Sequence, residues 1–288
     1  MQTISRLDAL RSAVGALKSG GKPGMRTLAL VPTMGALHEG HLTLVREAKK
    51  RADHVAVSIF VNPRQFGPNE DLDAYPRRMA ADAALLETEG VDLLWAPTVE
   101  VMYPAGYATN VSVSGLDAVL CGAARPGHFD GVATVVGKLF NQVRPDVALF
   151  GEKDWQQLAI IRRMARDLDL VAPFADAIIG VPTVREVDGL AMSSRNQYLT
   201  AQERAAAPAL ARAMRKAIAA VVRGAPVSPT LDGLRADVLA AGFRSIDYAD
   251  MRDADTLEDM LVFDGRAARL LVAAHIGKAR LIDNMAVA

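Results

Sequence analysis

Residues 27–41 read TLALVPTMGALHEGH. The first seven form a continuous apolar run, as a strand covered on both faces requires. Met34, Gly35, Ala36 and Leu37 make a turn, and His38, Glu39, Gly40 and His41 open a helix expected over 41–51. A strand entering a helix through a glycine turn is the first half of a βαβ unit. In an open parallel sheet, ligands gather outside the carboxyl ends of the strands. A helix start adds free N–H groups and partial positive charge, which suit phosphate.

The same alternation continues outward. Strands are expected at 54–62, 91–96, 147–151 and 177–184, with helices at 75–89, 131–143 and 154–168. Apolar strands separated by helices imply a parallel sheet, and right-handed crossovers make it doubly wound and Rossmann-like. After about Arg195 the pattern changes. Residues 201–222 form a long alanine-rich helical pattern, Gly224, Pro226 and Pro229 interrupt it, and 231–241 resume it. Strands at 245–251 and 268–274, with a short one near 278–282, complete a smaller α+β unit. The expected domains are 1–184 and 185–288.

Length and charge narrow the class. The chain has 288 residues, about half of them apolar, enough for a substantial core. Lys+Arg and Asp+Glu both number 33, so there is no bulk electrostatic attraction to nucleic acid or an anionic membrane. The single cysteine, Cys121, cannot form an internal disulfide and fits a reducing compartment. No secretory core is present near Met1, and no apolar run reaches the ~20 residues of a membrane span. A cytoplasmic protein without nucleic-acid or membrane partners is expected.

Three segments carry chemistry. His38 and His41 are three apart and share a helical face, where two imidazoles can donate to one anion. A zinc pair is the alternative, but zinc-protease helices space their histidines four apart, and no third ligand is evident. Gly40 keeps the turn slim enough for a nucleotide to approach. The second segment ends a strand at Gly151 and opens a helix with Glu152, Lys153 and Asp154. Lys153 is a compact charge suited to α-phosphate oxygens, Asp154 suits a helix N-cap, and Gln157 lies one turn on. In the third, Met192-Ser193-Ser194-Arg195-Asn196, two hydroxyls and a guanidinium make a phosphate clamp near the domain joint. Such a loop can close over a nucleotide and exclude water. At the end of the second strand, Phe60 and Met34 offer apolar cover, with Asn62 and Gln65 as amide hydrogen-bonders.

Residues 32–41 resemble the HIGH-type signature of the nucleotidylyl-transferase superfamily, and their wording is similar to that of the pantothenate synthetases. The M-S-S-R-N segment resembles the same family's mobile phosphate-gripping loop, and Arg125 to Val132 (RPGHFDGV) resembles a further family segment. The likeness spans roughly residues 28–200. It implies ATP-dependent joining of pantoate to β-alanine through a pantoyl adenylate, releasing pyrophosphate and AMP. It implies catalytic roles for His38, His41, Lys153 and Arg195. Nucleotide binding would add Met34, Gly35, Gly40, Gly151, Asp154, Val184, Met192, Ser193 and Ser194. Gln65 and Gln157 would hold pantoate, beside Met34, Phe60 and Asn62, while Arg125 and His128 would line the acid or amine site. The family uses Mg²⁺ on the ATP phosphates, with Asp82 as the candidate ligand here, and its members are usually homodimers. Three other readings stay open at this point. They are a nucleotidyltransferase that keeps the nucleotide on its product, a relative of aminoacyl-tRNA synthetases, and a nucleotide-binding module without turnover.

Overall fold

The computed structural model describes residues 1–19, 26–68, 70 and 72–287. The chain forms two compact units, Met1–Gly151 with Ile160–Val181, and Glu152–Ala159 with Pro182–Ala288.

In chain order, the first part contains β1 (Gln2–Ile4), α1 (Leu7–Ser19), β2 (Leu28–Thr33), α2 (Glu39–Lys49), β3 (His54–Ile59), α3 (Met79–Thr88) and β4 (Leu93–Trp95). Two single-turn helices follow, α4 (Val99–Met102) and α5 (Cys121–Ala124), then α6 (His128–Val143), β5 (Val147–Gly151), α7 (Trp155–Asp167) and β6 (Ile178–Val181). The strands make one six-stranded sheet in the order β1-β4-β3-β2-β5-β6. Every pairing in it is parallel.

Alternation along the strands divides the core. Ala29, Val31, Val55, Val57 and Leu94 face one way, packed with Leu44, Val45 and Ala48 of α2 and Leu86 of α3. Trp95 is one residue out of phase with Leu94, and its indole donates to Gln142 Oε1 on α6 at 3.0 Å. Helices therefore cover both faces, and the sheet is doubly wound. β2 lies between β3, its successor, and β5, so the strand order reverses there. The carboxyl end of β2 is thus the topological switch point, the usual place for a ligand in such sheets. β1 and α1 precede the first strand–helix unit read from the sequence; the three-residue β1 at the sheet edge is too short to leave a periodic signal.

The later part holds α8 (Ala201–Ala206), α9 (Ala209–Val222), α10 (Val227–Ala240) and an antiparallel sheet of β7 (Ser245–Asp253), β8 (Ala268–Ile276) and β9 (Ala279–Val287). Leu210, Met214 and Val221 of α9 and Leu234 and Val238 of α10 pack with Leu270, Val272 and Ala274 of β8. The single helix expected over 201–222 is split before α9, because Pro208 has no N–H and its ring clashes with a preceding carbonyl. Pro229 does not break α10. It is the third residue, where the N–H would have no intrahelical partner. The strand expected near 278–282 runs the full length of β9, paired residue for residue with β8.

One ion pair inside the second unit is buried enough to matter for stability. Arg185 holds Asp283 through two hydrogen bonds, of 2.7 and 2.8 Å, and the Asp283 side chain is only 3% exposed. Removing one partner of such a pair strands the other's charge. Arg185→Ala is expected to lower the unfolding free energy by about 3 kcal/mol in urea titration. Pairing Arg185→Met with Asp283→Leu should recover much of the loss. Among the described residues, no helix is long and apolar enough to cross a membrane.

Candidate active site

The turn after β2 is fixed from behind. Gly35 adopts φ +82°, and a Cβ there would stand 3.1 Å from Asp82 Oδ2 and 3.2 Å from Ile59 Cγ2. Asp82, on α3, accepts the N–H groups of Ala36 at 2.8 Å and Leu37 at 2.9 Å, one on each carboxylate oxygen. It is 3% exposed. Asp82, expected from the family resemblance as a candidate magnesium ligand, is thus a buried carboxylate whose two oxygens each accept a backbone N–H bond and anchor the turn.

The turn delivers the two histidines into a capping box. His38 is the N-cap of α2; its Nδ1 accepts the Gly40 N–H at 3.2 Å, while His41 Nδ1 accepts the His38 N–H at 3.3 Å. A ring nitrogen that accepts a hydrogen bond carries no proton, so each neutral imidazole bears its proton on Nε2. The rings lie 4.1 Å apart, tilted by 38°. The N-cap N–H and the Gly40 N–H are thus spent in setting the tautomer of two imidazoles. The helix start therefore carries two Nε2–H groups on half-buried side chains.

Beyond β3, the glutamine region is built as a nested scaffold. Asn62 is fully buried. Its Nδ2 donates to Gln65 Oε1 at 2.9 Å and to Gly131 O at 3.0 Å. Its Oδ1 accepts the Arg64 N–H at 3.2 Å and the Tyr103 hydroxyl at 2.9 Å. Both donors and both lone pairs are used. Asn62, expected in the pocket lining, therefore holds Gln65 with all of its hydrogen-bonding positions occupied within the protein. Burial pushes Tyr103 up to about 12, so its hydroxyl stays a donor to Asn62. With Oε1 fixed by Asn62, Gln65 has its amide end oriented, while the Phe60 ring, 6% exposed, packs 6.2 Å from Tyr103.

Arg125 and His128, expected to line the acid or amine site, meet the Gln65 carbonyl: Arg125 Nη2 at 3.1 Å and His128 Nδ1 at 2.7 Å. Arg125 Nε also donates to Glu70 Oε1 at 2.7 Å. Burial pushes the Glu70 carboxyl up, but the Arg125 hydrogen bonds and charge outweigh it, and the net position is below the usual carboxylate range. The folded state then binds fewer protons than the unfolded chain between the depressed and ordinary values. The contribution is complete above the ordinary value and is lost as pH falls through the depressed one. Wild type is therefore expected to lose its stability advantage over Glu70→Gln on acidification, read as urea midpoints from neutral pH down to about pH 3.

In the second unit, Glu152, Lys153 and Asp154 form a single 3-10 turn immediately after β5. Lys153 Nζ lies 4.0 Å from Asp154 Oδ2, a loose pairing that leaves the ammonium weakly engaged by it. Gln157 follows on α7, half-buried. Val184 and Met192 face each other across a tight hairpin, with the Met192 N–H donated to Val184 O at 3.0 Å and Arg185 bridged to Ala191. Gly189, at φ +92°, closes its turn. The hairpin leads to Ser193, which caps a 3-10 turn by accepting the Arg195 N–H at 3.3 Å and keeps its own O–H as a donor. Lys153 and Ser193 line one narrow cleft with Asn196, Leu281 and Asp283. Within this unit the structure thus brings the lysine turn and the serine loop together.

A Rossmann-like, doubly wound sheet with a histidine-capped helix start at its switch point defines the class, an α/β nucleotide-binding fold. The chain belongs to the pantoate-beta-alanine ligase family, whose model matches residues 2–286. It is 75% identical over 287 residues to a pantothenate synthetase of Novosphingobium aromaticivorans, covering 100% of this chain and 99% of that one. Among solved structures it is similar to a pantothenate synthetase of Thermus thermophilus, with TM-score 0.91, 47% identity and coverage of 100% and 99%. It is also similar to the pantoate-beta-alanine ligase of Francisella tularensis in complex with beta-gamma ATP and β-alanine. That match has TM-score 0.80, 32% identity and coverage of 99% and 97%. The chain is thus a ligase by family, and the readings as a tRNA-synthetase relative or a nucleotide-retaining transferase fall away.

Proposed function

We propose that the chain condenses pantoate with β-alanine in two steps through a pantoyl adenylate. A pantoate carboxylate oxygen attacks the α-phosphorus of ATP, and pyrophosphate leaves. The β-alanine amine then attacks the acyl carbon, AMP leaves, and the amine proton is released as pantothenate forms. Adenylation supplies the leaving group that a free carboxylate lacks.

The observation that carries this reading is the capping box of His38 and His41. It fixes two Nε2–H donors at a helix start on the switch point, where they can meet phosphate oxygens as charge develops. Lys153 is assigned to the α-phosphate oxygens, with Arg195, Ser193 and Ser194 gripping the triphosphate. Gln65 and Gln157 are assigned to pantoate. Magnesium would enter as part of the nucleotide substrate and neutralise phosphate charge. Among the described residues no group of three or more His, Cys, Asp or Glu side chains is gathered to hold an ion.

The test is exchange of labelled pyrophosphate into ATP with pantoate and Mg²⁺ and no amine. Exchange that depends on pantoate is expected, because the first half-reaction is reversible on its own. ATP binding with no exchange, with β-alanine absent or present, would sink the adenylate reading.

A further inference from the structure

The turn that carries Lys153 is held by a residue far away in sequence. Asn284, on β9, is 4% exposed. Its Nδ2 forks between the carbonyl oxygens of Glu152 at 2.8 Å and Lys153 at 2.9 Å. Its Oδ1 accepts from Arg269 Nη1, which settles which end of the amide faces the turn. Arg269 in turn donates through Nη2 to Glu152 Oε2 at 2.8 Å, and its guanidinium lies 3.3 Å from the centre of the Trp155 ring. The ring of contacts is closed and neutral, one guanidinium against one carboxylate. Asn284 itself is held by the β8–β9 ladder, opposite Leu271.

We propose that Asn284 is a positioning residue for the ligation, holding the main chain at Glu152 and Lys153 so that the ammonium is presented to the nucleotide. The proposal rests on the role assigned above to Lys153. A three-residue 3-10 turn has poor internal hydrogen-bond geometry and needs an external brace to keep one conformation. Asn284 supplies it at two consecutive carbonyls, and both lie at the root of the lysine side chain. A lysine can span a displaced root only by giving up its approach angle, so the loss falls on turnover rather than on binding.

The test is a double-mutant cycle on pantoate-dependent pyrophosphate exchange, using Asn284→Asp, Lys153→Ala and the two combined. Asn284→Asp keeps size and the Arg269 contact but cannot donate to either carbonyl. It is expected to lower kcat about 10-fold or more with KM for pantoate little changed. The combined variant should be no worse than Lys153→Ala, because a residue acting through Lys153 has nothing left to position once the lysine is gone. Multiplying losses, or wild-type kcat in Asn284→Asp, would overturn the proposal. Failure of both Asn284→Asp and Asn284→Ala to fold would also overturn it, by making the residue structural. Lys153→Ala alone reports on the underlying role. If it exchanges like wild type, that role fails whatever Asn284 does.

Discussion

Lys153→Ala is expected to cut pantoate-dependent pyrophosphate exchange by about 100-fold or more, the usual cost of removing one charged donor from a developing oxyanion. The fold should survive the change. The contacts that hold this turn are made by the main-chain oxygens of Glu152 and Lys153 and by the Glu152 carboxylate, and none of them uses the lysine side chain. Its ion pair with Asp154 stands at 4.0 Å, with the Asp154 side chain 47% exposed, so losing that pair costs little. Lys153→Arg retains charge but replaces a point donor with a planar fork, and should recover only part of the rate. Exchange within a few-fold of wild type in Lys153→Ala, measured at saturating ATP, would remove Lys153 from the chemistry.

Gly131→Ala should have the second large effect, and it acts at a distance from any reacting atom. A Cβ on Gly131 would lie 2.2 Å from the Arg64 carbonyl oxygen, 2.6 Å from its carbon and 2.9 Å from the Gln65 nitrogen. Alanine ordinarily favours a helix interior over glycine by ~1 kcal/mol. Here that gain is overcome, because both sides of the clash are backbone and neither can rotate away. Overpacking of this kind costs about 1–3 kcal/mol. The displacement falls on the 3-10 turn that carries Gln65, and Asn62, which orients Gln65 Oε1, is itself bonded to the Gly131 carbonyl. A shift near ~1 Å in a substrate-holding group costs roughly 100-fold in kcat/KM. The measurement is kcat/KM for pantoate beside the urea midpoint. A melting loss with unchanged kcat/KM would separate Gly131 from Gln65 and refute the coupling.

Residues that act locally were readable without coordinates. The histidine pair and the strand before each motif depend on spacings of a few residues, and such spacings are written in the chain itself. The contacts that the sequence does not announce involve partners from other elements. Asp82 reads from the resemblance as a candidate metal ligand, and nothing near it in sequence announces the Ala36 and Leu37 amides, 46 and 45 residues away. Asn62 looked like a pocket amide because its Gly131 and Tyr103 partners lie 69 and 41 residues off. Arg125 and His128 have the right chemistry for a small acid, and their shared contact with the Gln65 carbonyl, 60 and 63 residues away, is written nowhere near them in sequence.

The sequence alone thus determined the alternation that makes a doubly wound sheet, the three chemical segments in their order, and the smaller α+β unit that follows. Periodicity and capping are short-range, so they survive in a linear reading. Tertiary structure alone decided that β2 sits where strand order reverses, that Asp82 anchors the turn, and that Asn62 serves Gln65. It also decided that Asn284, 131 residues from Lys153, braces the lysine's own backbone. A hydrogen bond is satisfied by whichever donor and acceptor the packed chain brings within about 3 Å, and that choice is made only when the elements are in place.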